Sequence, residues 1–157
     1  EYVRLGQMLW RFPLSALGCV FLICGSRDAA QDTYDVMKEE IEAAKSRGQR
    51  IRGILHCYAY GSEMAELFLG LGLYLGIGGV VTFKNAKKLK EVVATMPENR
   101  ILLETDCPYL APEPHRGSRN DSKYLSLVAK QIAELRGITE EEVIELTNRN
   151  ARELLGF

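Results

Sequence analysis

The stretch Ile51–Gly79, IRGILHCYAYGSEMAELFLGLGLYLGIGG, decides the fold. Ile51–Tyr58 is a short apolar run that suits a buried strand. Ser62 opens a helix that runs through Leu71, and Gly72 stops it. Leu73–Gly79 (LYLGIGG) is apolar again and reads as another strand. A strand, a helix and a second strand in under thirty residues make a parallel crossover unit.

The same grammar extends both ways. Upstream, Leu17–Cys24 (LGCVFLIC) is a continuous apolar run, followed by Ser26-Arg27-Asp28 and a helical pattern from about Ala30 to Ser46. Thr33, Val36, Met37, Ile41 and Ala44 share one face of that helix, and Gly48 closes it. Downstream, Lys84–Met96 reads as a basic amphipathic helix with Leu89, Val92 and Val93 apolar. Ile101–Asp106 (ILLETD) reads as a fourth strand, and a proline-rich loop spans Pro108–Asp121. Ser122–Arg136 is helical, and Thr139 begins another helix with Glu142 completing a capping box. Asn150–Phe157 reads as a last short helix. Alternation at this spacing predicts an α/β fold with a parallel sheet and about four βα units.

The 157 residues carry 20 Lys+Arg against 21 Asp+Glu, a formal net charge of -1, and 46% are hydrophobic. That composition excludes a disordered chain and suggests one domain. It supplies no basic footprint for duplex DNA, although a nuclease can draw positive charge from bound metal. Cys19, Cys24, Cys57 and Cys107 show no metal-knuckle spacing and read as reduced cytosolic thiols. Leu14–Cys24 falls short of the ~20 residues of a membrane span, and no signal-peptide pattern is read. The expected location is therefore cytoplasmic, with no membrane partner.

Parallel α/β folds gather chemistry at the C-terminal ends of their strands. His56 ends one strand and Asp106 another. The side-chain period of two puts Leu102, Glu104 and Asp106 on one face, and Ile54 and His56 on one face of theirs. If both faces point into a barrel, His56, Glu104 and Asp106 converge at one mouth. Carboxylates and imidazole on rigid strand ends suit a divalent metal that activates water. The competing readings are a hydrogen-bonded core histidine at His56 and a turn-forming Asp106. Glu104 is harder to explain structurally, because a buried carboxylate is costly without a partner.

The Asp106–Asn120 loop is longer than ordinary βα connections. His115, Arg116 and Arg119 beside Tyr109 read either as a grip on phosphates and a base, or as a solvated loop stiffened by prolines. Lys84, Lys87, Lys88 and Lys90 read as a solvated helix face. Gly76, Gly78 and Gly79 do not match a dinucleotide fingerprint.

Six segments together resemble the C-terminal part of TatD-family metal-dependent deoxyribonucleases. They are SRDA at Ser26–Ala29, ILHCY at Ile54–Tyr58 and GIGGVVTFKNAKKL at Gly76–Leu89. ETDCPYLAP at Glu104–Pro112, PHRGSRN at Pro114–Asn120 and NARELLGF at Asn150–Phe157 complete the set. The resemblance implies a TIM-barrel-like (β/α)8 metallo-hydrolase, of which this chain is expected to form strands five to eight. It also implies a divalent metal (Mg, Mn or Zn) and DNA phosphodiesters as substrate. His56 and Asp106 are the implied metal ligands, with Asp106 also helping to activate water; Glu104, read from its place in a buried strand, joins it as a catalytic candidate. Arg116 and Asn120 fall in the family's loop motif and are expected to serve substrate binding or loop order, with His115 beside them as a substrate-binding candidate.

The chain departs from the family pattern in three places. It has no His-x-His pair of a first strand, no bridging Glu of a middle strand, and Gly25 where the family places a histidine. Residues 1–17 are also atypical. The expectation is one TatD-like domain over 1–157, incomplete at its N-terminal end, with weak metal binding and little nuclease activity. Alternatives are another hydrolase of the amidohydrolase-like superfamily, or a non-catalytic half-barrel able to self-associate through open sheet edges.

Overall fold

The computed structural model describes residues 19–24, as backbone, and residues 29–156. The elements follow the chain in the order β1 (Cys19–Cys24), α1 (Ala30–Ser46), β2 (Ile51–His56), α2 (Ser62–Gly70), β3 (Tyr74–Ile77), α3 (Lys87–Thr95), β4 (Ile101–Leu103), α4 (Leu125–Arg136) and α5 (Glu140–Leu155). All strand pairs are parallel and the sheet order is β1-β2-β3-β4. This is the α/β architecture that strand and helix alternation predicts.

Strand alternation sorts the side chains. Leu55, Leu75, Ile77 and Ile101 point to the face packed by Met37 and Ile41 of α1, Phe68 of α2, Val92 and Val93 of α3, and Ile132 of α4. The opposite face carries Ile54, Tyr74 and Leu102, packed against Ala151 and Leu154 of α5. Register aligns Ile54 with Tyr74, and Gly76 with Leu102, so this second face is continuous across three strands.

Some boundaries differ from the sequence reading. The strand expected over Ile101–Asp106 stops at Leu103, although the Glu104 N–H still donates to the Ile77 carbonyl at 3.2 Å. The cis peptide between Cys107 and Pro108 follows soon after, and the chain turns away from the sheet. The helix expected from Lys84 begins at Lys87, because a short 3-10 turn at Gly79–Thr82 and the bend after it occupy the preceding residues. Ser122–Tyr124 likewise forms a 3-10 turn before α4.

The separate last helix expected at Asn150–Phe157 is continuous with the one starting at Thr139. No glycine or proline interrupts Glu140–Leu155, so nothing breaks the hydrogen-bond ladder. Val36, expected on the buried face of α1, is exposed. Tyr34 lies against Phe68 instead, with ring centroids 6.0 Å apart. Lys84, Lys87 and Lys88 are exposed and Lys90 is half-buried, as on a solvated face. The readings placed on residues 1–17 and on Gly25–Asp28 lie outside the described residues. Among the described residues no helix is long and apolar enough to cross a membrane.

Candidate active site

His56 ends β2 and Glu104 follows β4, with β3 between them. Two strand spacings amount to ~10 Å, too far for direct contact across an ordinary side chain on the middle strand. The middle strand carries Gly76 there. A Cβ built on Gly76 would lie 2.8 Å from the Glu104 Cδ and 3.1 Å from Ile54 Cδ1, so the carboxyl occupies the volume a side chain would fill. Glu104 therefore reaches over β3, and its Oε2 comes to 3.5 Å from His56 Nε2.

The other carboxylate oxygen is held by backbone. Cys57 has φ 53°, a left-handed conformation uncommon for a residue with a Cβ. The turn aims its N–H at Glu104 Oε1, which accepts at 2.7 Å. The next residue returns to the sheet, with the Tyr58 N–H donating to the Gly76 carbonyl at 2.9 Å.

Glu104 Oε2 is buried and has no hydrogen-bond partner among the described residues. Burial pushes the Glu104 carboxyl up from 4.5 to about 7, the Cys57 N–H opposes that shift, and the neighbouring Asp106 charge adds to it. Glu104, His56 and Asp106 thus share one electrostatic environment at the C-terminal ends of the strands. Imidazole and carboxylate oxygens are suitable donors for a divalent cation. No group of three or more His, Cys, Asp or Glu able to hold a metal comes together among the described residues. The donors present fit part of a ligand set.

The Asp106–Asn120 loop is tightly fastened. Gly79 is a seat for it: a Cβ there would lie 3.0 Å from the Pro112 nitrogen. Thr82 Oγ1 accepts from the Glu113 N–H at 2.8 Å. Asn120 is buried, its Nδ2 donating to the Tyr109 carbonyl at 2.7 Å and its Oδ1 accepting from the Asp121 N–H at 2.8 Å. The Asn120 N–H donates to the Pro108 carbonyl. Its amide groups therefore brace both ends of the loop.

Arg116 is half exposed, with its guanidinium 4.2 Å from the Phe83 ring centroid and 4.0 Å from Glu113 Oε1. His115 stacks on Tyr124 at 4.1 Å. Tyr109 is 69% exposed at the loop surface. The structure thus brings His56 and Glu104 together, with Asp106 acting on the Glu104 charge. It places His115 and Arg116 on neighbouring rings, and Asn120 inside the loop.

Sequence reasoning had no role for Gly76, Gly79 and Cys57. The glycines were visible, but only the strand order shows that Gly76 separates His56 from Glu104. Nothing in the sequence marks the turned backbone at Cys57.

The fold is that of TatD-type hydrolases. The profile of the family described as TatD related DNase matches residues 18–156, and the chain belongs to that family. It is 45% identical over 133 residues to the "Uncharacterized metal-dependent hydrolase YabD" of Bacillus subtilis (strain 168), covering 85% of this chain and 50% of that protein. It is 32% identical over 143 residues to the "3'-5' ssDNA/RNA exonuclease TatD" of Rahnella sp. (strain Y9602), covering 88% of this chain and 51% of that one. Among solved structures, the TatD homolog YJJV of Escherichia coli K12 superposes with a TM-score of 0.75 at 24% identity, covering 86% of this chain and 49% of that chain. A TatD family hydrolase from Entamoeba histolytica gives 0.72 at 18% identity, covering 90% and 52%. At those identities the likeness is one of fold. The chain spans about half the length of the curated relatives it matches.

Proposed function

We propose that this chain carries the C-terminal half of a TatD-type barrel, and with it part of the active site of a metal-dependent hydrolase that cleaves DNA phosphodiester bonds. One observation carries the reading. Among the described residues Glu104 Oε2 is buried without a hydrogen bond, 3.5 Å from His56 Nε2 and within reach of the Asp106 charge, at the strand ends where this fold class places its chemistry. An oxygen in that position calls for a cation or a proton.

His56 and Asp106 would hold the metal. The chemistry a divalent ion supplies is Lewis acidity toward water and a phosphoryl oxygen. Glu104, with its carboxyl near 7, is set to accept or return a proton close to neutral pH. The Cys57 N–H fixes Glu104 Oε1, so that Oε2 stays directed at His56. Arg116 offers a guanidinium for a substrate phosphate and His115 lies beside it on the same loop. Asn120 acts through the loop it braces.

Two retained ligands make a weak site, because affinity depends on ligand count and geometry. Weak, readily reversed binding of Mn2+ is therefore expected. Calorimetric titration with Mn2+, paired with cleavage of a fluorescent single-stranded oligonucleotide, checks this. Little turnover is expected from this chain alone. Robust turnover abolished by Asp106→Ala would overturn the weakness and keep the site; tight metal binding unaffected by His56→Ala would overturn the site. Amide or ester hydrolysis without DNA cleavage would favour the amidohydrolase-like alternative.

A further inference from the structure

A second cleft lies at the opposite end of the sheet. Its volume is about 470 Å³, and its lining includes Lys45, Arg50, Arg52, Tyr74, Arg100 and Glu153. Arg52 stands near the start of β2 and His56 at its end, four residues on and so ~13 Å away along the strand. Tyr74 starts β3, and Arg100 immediately precedes β4. The cleft is therefore built by the N-terminal ends of three adjacent strands, the end of α1, the turn after α2 and α5, away from His56 and Glu104.

Its charge is out of keeping with the chain. Four cations face one carboxylate, leaving three net positive charges in a protein of net charge -1. The two inner guanidinia are held in place. Arg52 Nη1 donates to the Glu153 carbonyl at 2.8 Å, and Arg100 Nη1 to the Asn99 carbonyl at 3.1 Å. Arg100 also lies over the Tyr74 ring, 4.9 Å from its centroid. Burial and then the Glu153 carboxylate push the Tyr74 phenol up, while Arg100 and Arg52 pull it down, so both guanidinia act on one buried hydroxyl.

Single contacts have structural explanations. Lys45 complements the C-terminal end of α1, and Arg52 satisfies a carbonyl near the end of α5. Those explanations do not account for four cations facing one concavity, three from the end of α1 and the start of β2 and the fourth, Arg100, from the entry to β4. Like charges repel, and their convergence is favourable when an anion sits among them. Guanidinia already fixed by backbone carbonyls lose little further freedom on binding.

We propose that this cleft binds a diphosphate group, either inorganic or carried by a nucleoside. Three net positive charges match such an anion, and Arg forks suit its paired oxygens. The fixed Arg52 and Arg100 would hold one phosphate near the Tyr74 hydroxyl. The exposed Lys45 and Arg50 would close on the other from the rim.

Calorimetry on the full chain in EDTA at low ionic strength tests this, with inorganic pyrophosphate, ADP and adenosine as probes. Saturable binding of one pyrophosphate per chain is expected. The Lys45→Gln/Arg50→Gln variant, altered only at exposed positions, should weaken it by about tenfold or more. Binding should persist in His56→Ala, which changes the other end of the sheet. ADP binding like pyrophosphate supports the group itself as ligand, and ADP binding more tightly supports a nucleoside diphosphate. No saturable binding would overturn the proposal. So would binding undiminished in the double variant, binding lost in His56→Ala, or adenosine binding as well as ADP.

Discussion

A carboxyl whose pKa is about 7 when folded and near 4.5 otherwise binds more protons folded than unfolded between those values. For Glu104 the sign follows directly. Its stabilising contribution is complete below pH ~4.5, is lost as pH rises through ~7, and is constant above. The upper bound on the change is about 3 kcal/mol. Urea denaturation in EDTA across that range should therefore show a decline in the native chain that Glu104→Gln removes. Parallel profiles for the two proteins would refute it. Gly76 is coupled to the same carboxyl. Gly76→Ala places a methyl group where Glu104 and Ile54 already lie, and should destabilise the chain by about 1–3 kcal/mol. Pairing it with Glu104→Ala should recover part of that loss in a double-mutant cycle. Additive losses would mean that Glu104 does not occupy the space above Gly76.

Helix α5 is fastened at two points that differ in strength. At its start, the Thr139 hydroxyl accepts from the Glu142 N–H at 3.1 Å, and Glu142 Oε2 accepts from the Thr139 N–H at 2.8 Å. Farther along, Asn150 is 1% exposed, and its Nδ2 donates to the Glu98 and Ile101 carbonyls at 2.7 and 2.8 Å. That amide ties α5 to the entry of β4. Thr139→Ala removes a solvated cap and should cost about 1 kcal/mol. Asn150→Ala leaves two carbonyls without their donor and should cost about 2–4 kcal/mol. Equilibrium denaturation of both variants checks the order, and an equal or reversed ranking would contradict the buried tie. The closing NARELL segment read from sequence as a separate helix. Its asparagine is instead the point where one long helix grips the sheet.

At the scale of the molecule, the described sheet has β1 paired only to β2 and β4 paired only to β3. The two faces of the sheet have separate tasks. One is filled by apolar residues from all five helices, while the other carries His56 and Glu104 at the C-terminal ends of the strands; the basic cleft lies across the opposite end of the sheet. Stability and chemistry are thus divided by the side-chain period of the strands.

The sequence by itself determined the alternation of strands and helices, since apolar runs and 3.6-residue periodicity are local properties. It also determined His56, Glu104 and Asp106 as candidates, because polar residues at the ends of apolar strands stand out against their neighbours. The six matching segments carried the family. Tertiary structure decided what local patterns do not encode. Strand order put Gly76 between His56 and Glu104, which made their contact possible and, among the described residues, left Glu104 Oε2 without a hydrogen bond. It turned Asn120 inward as a brace of its loop. It also brought Arg100 to the cleft where Lys45, Arg50 and Arg52 already stand close in sequence. Each of these depends on which distant residues become neighbours, and packing rather than sequence spacing sets that.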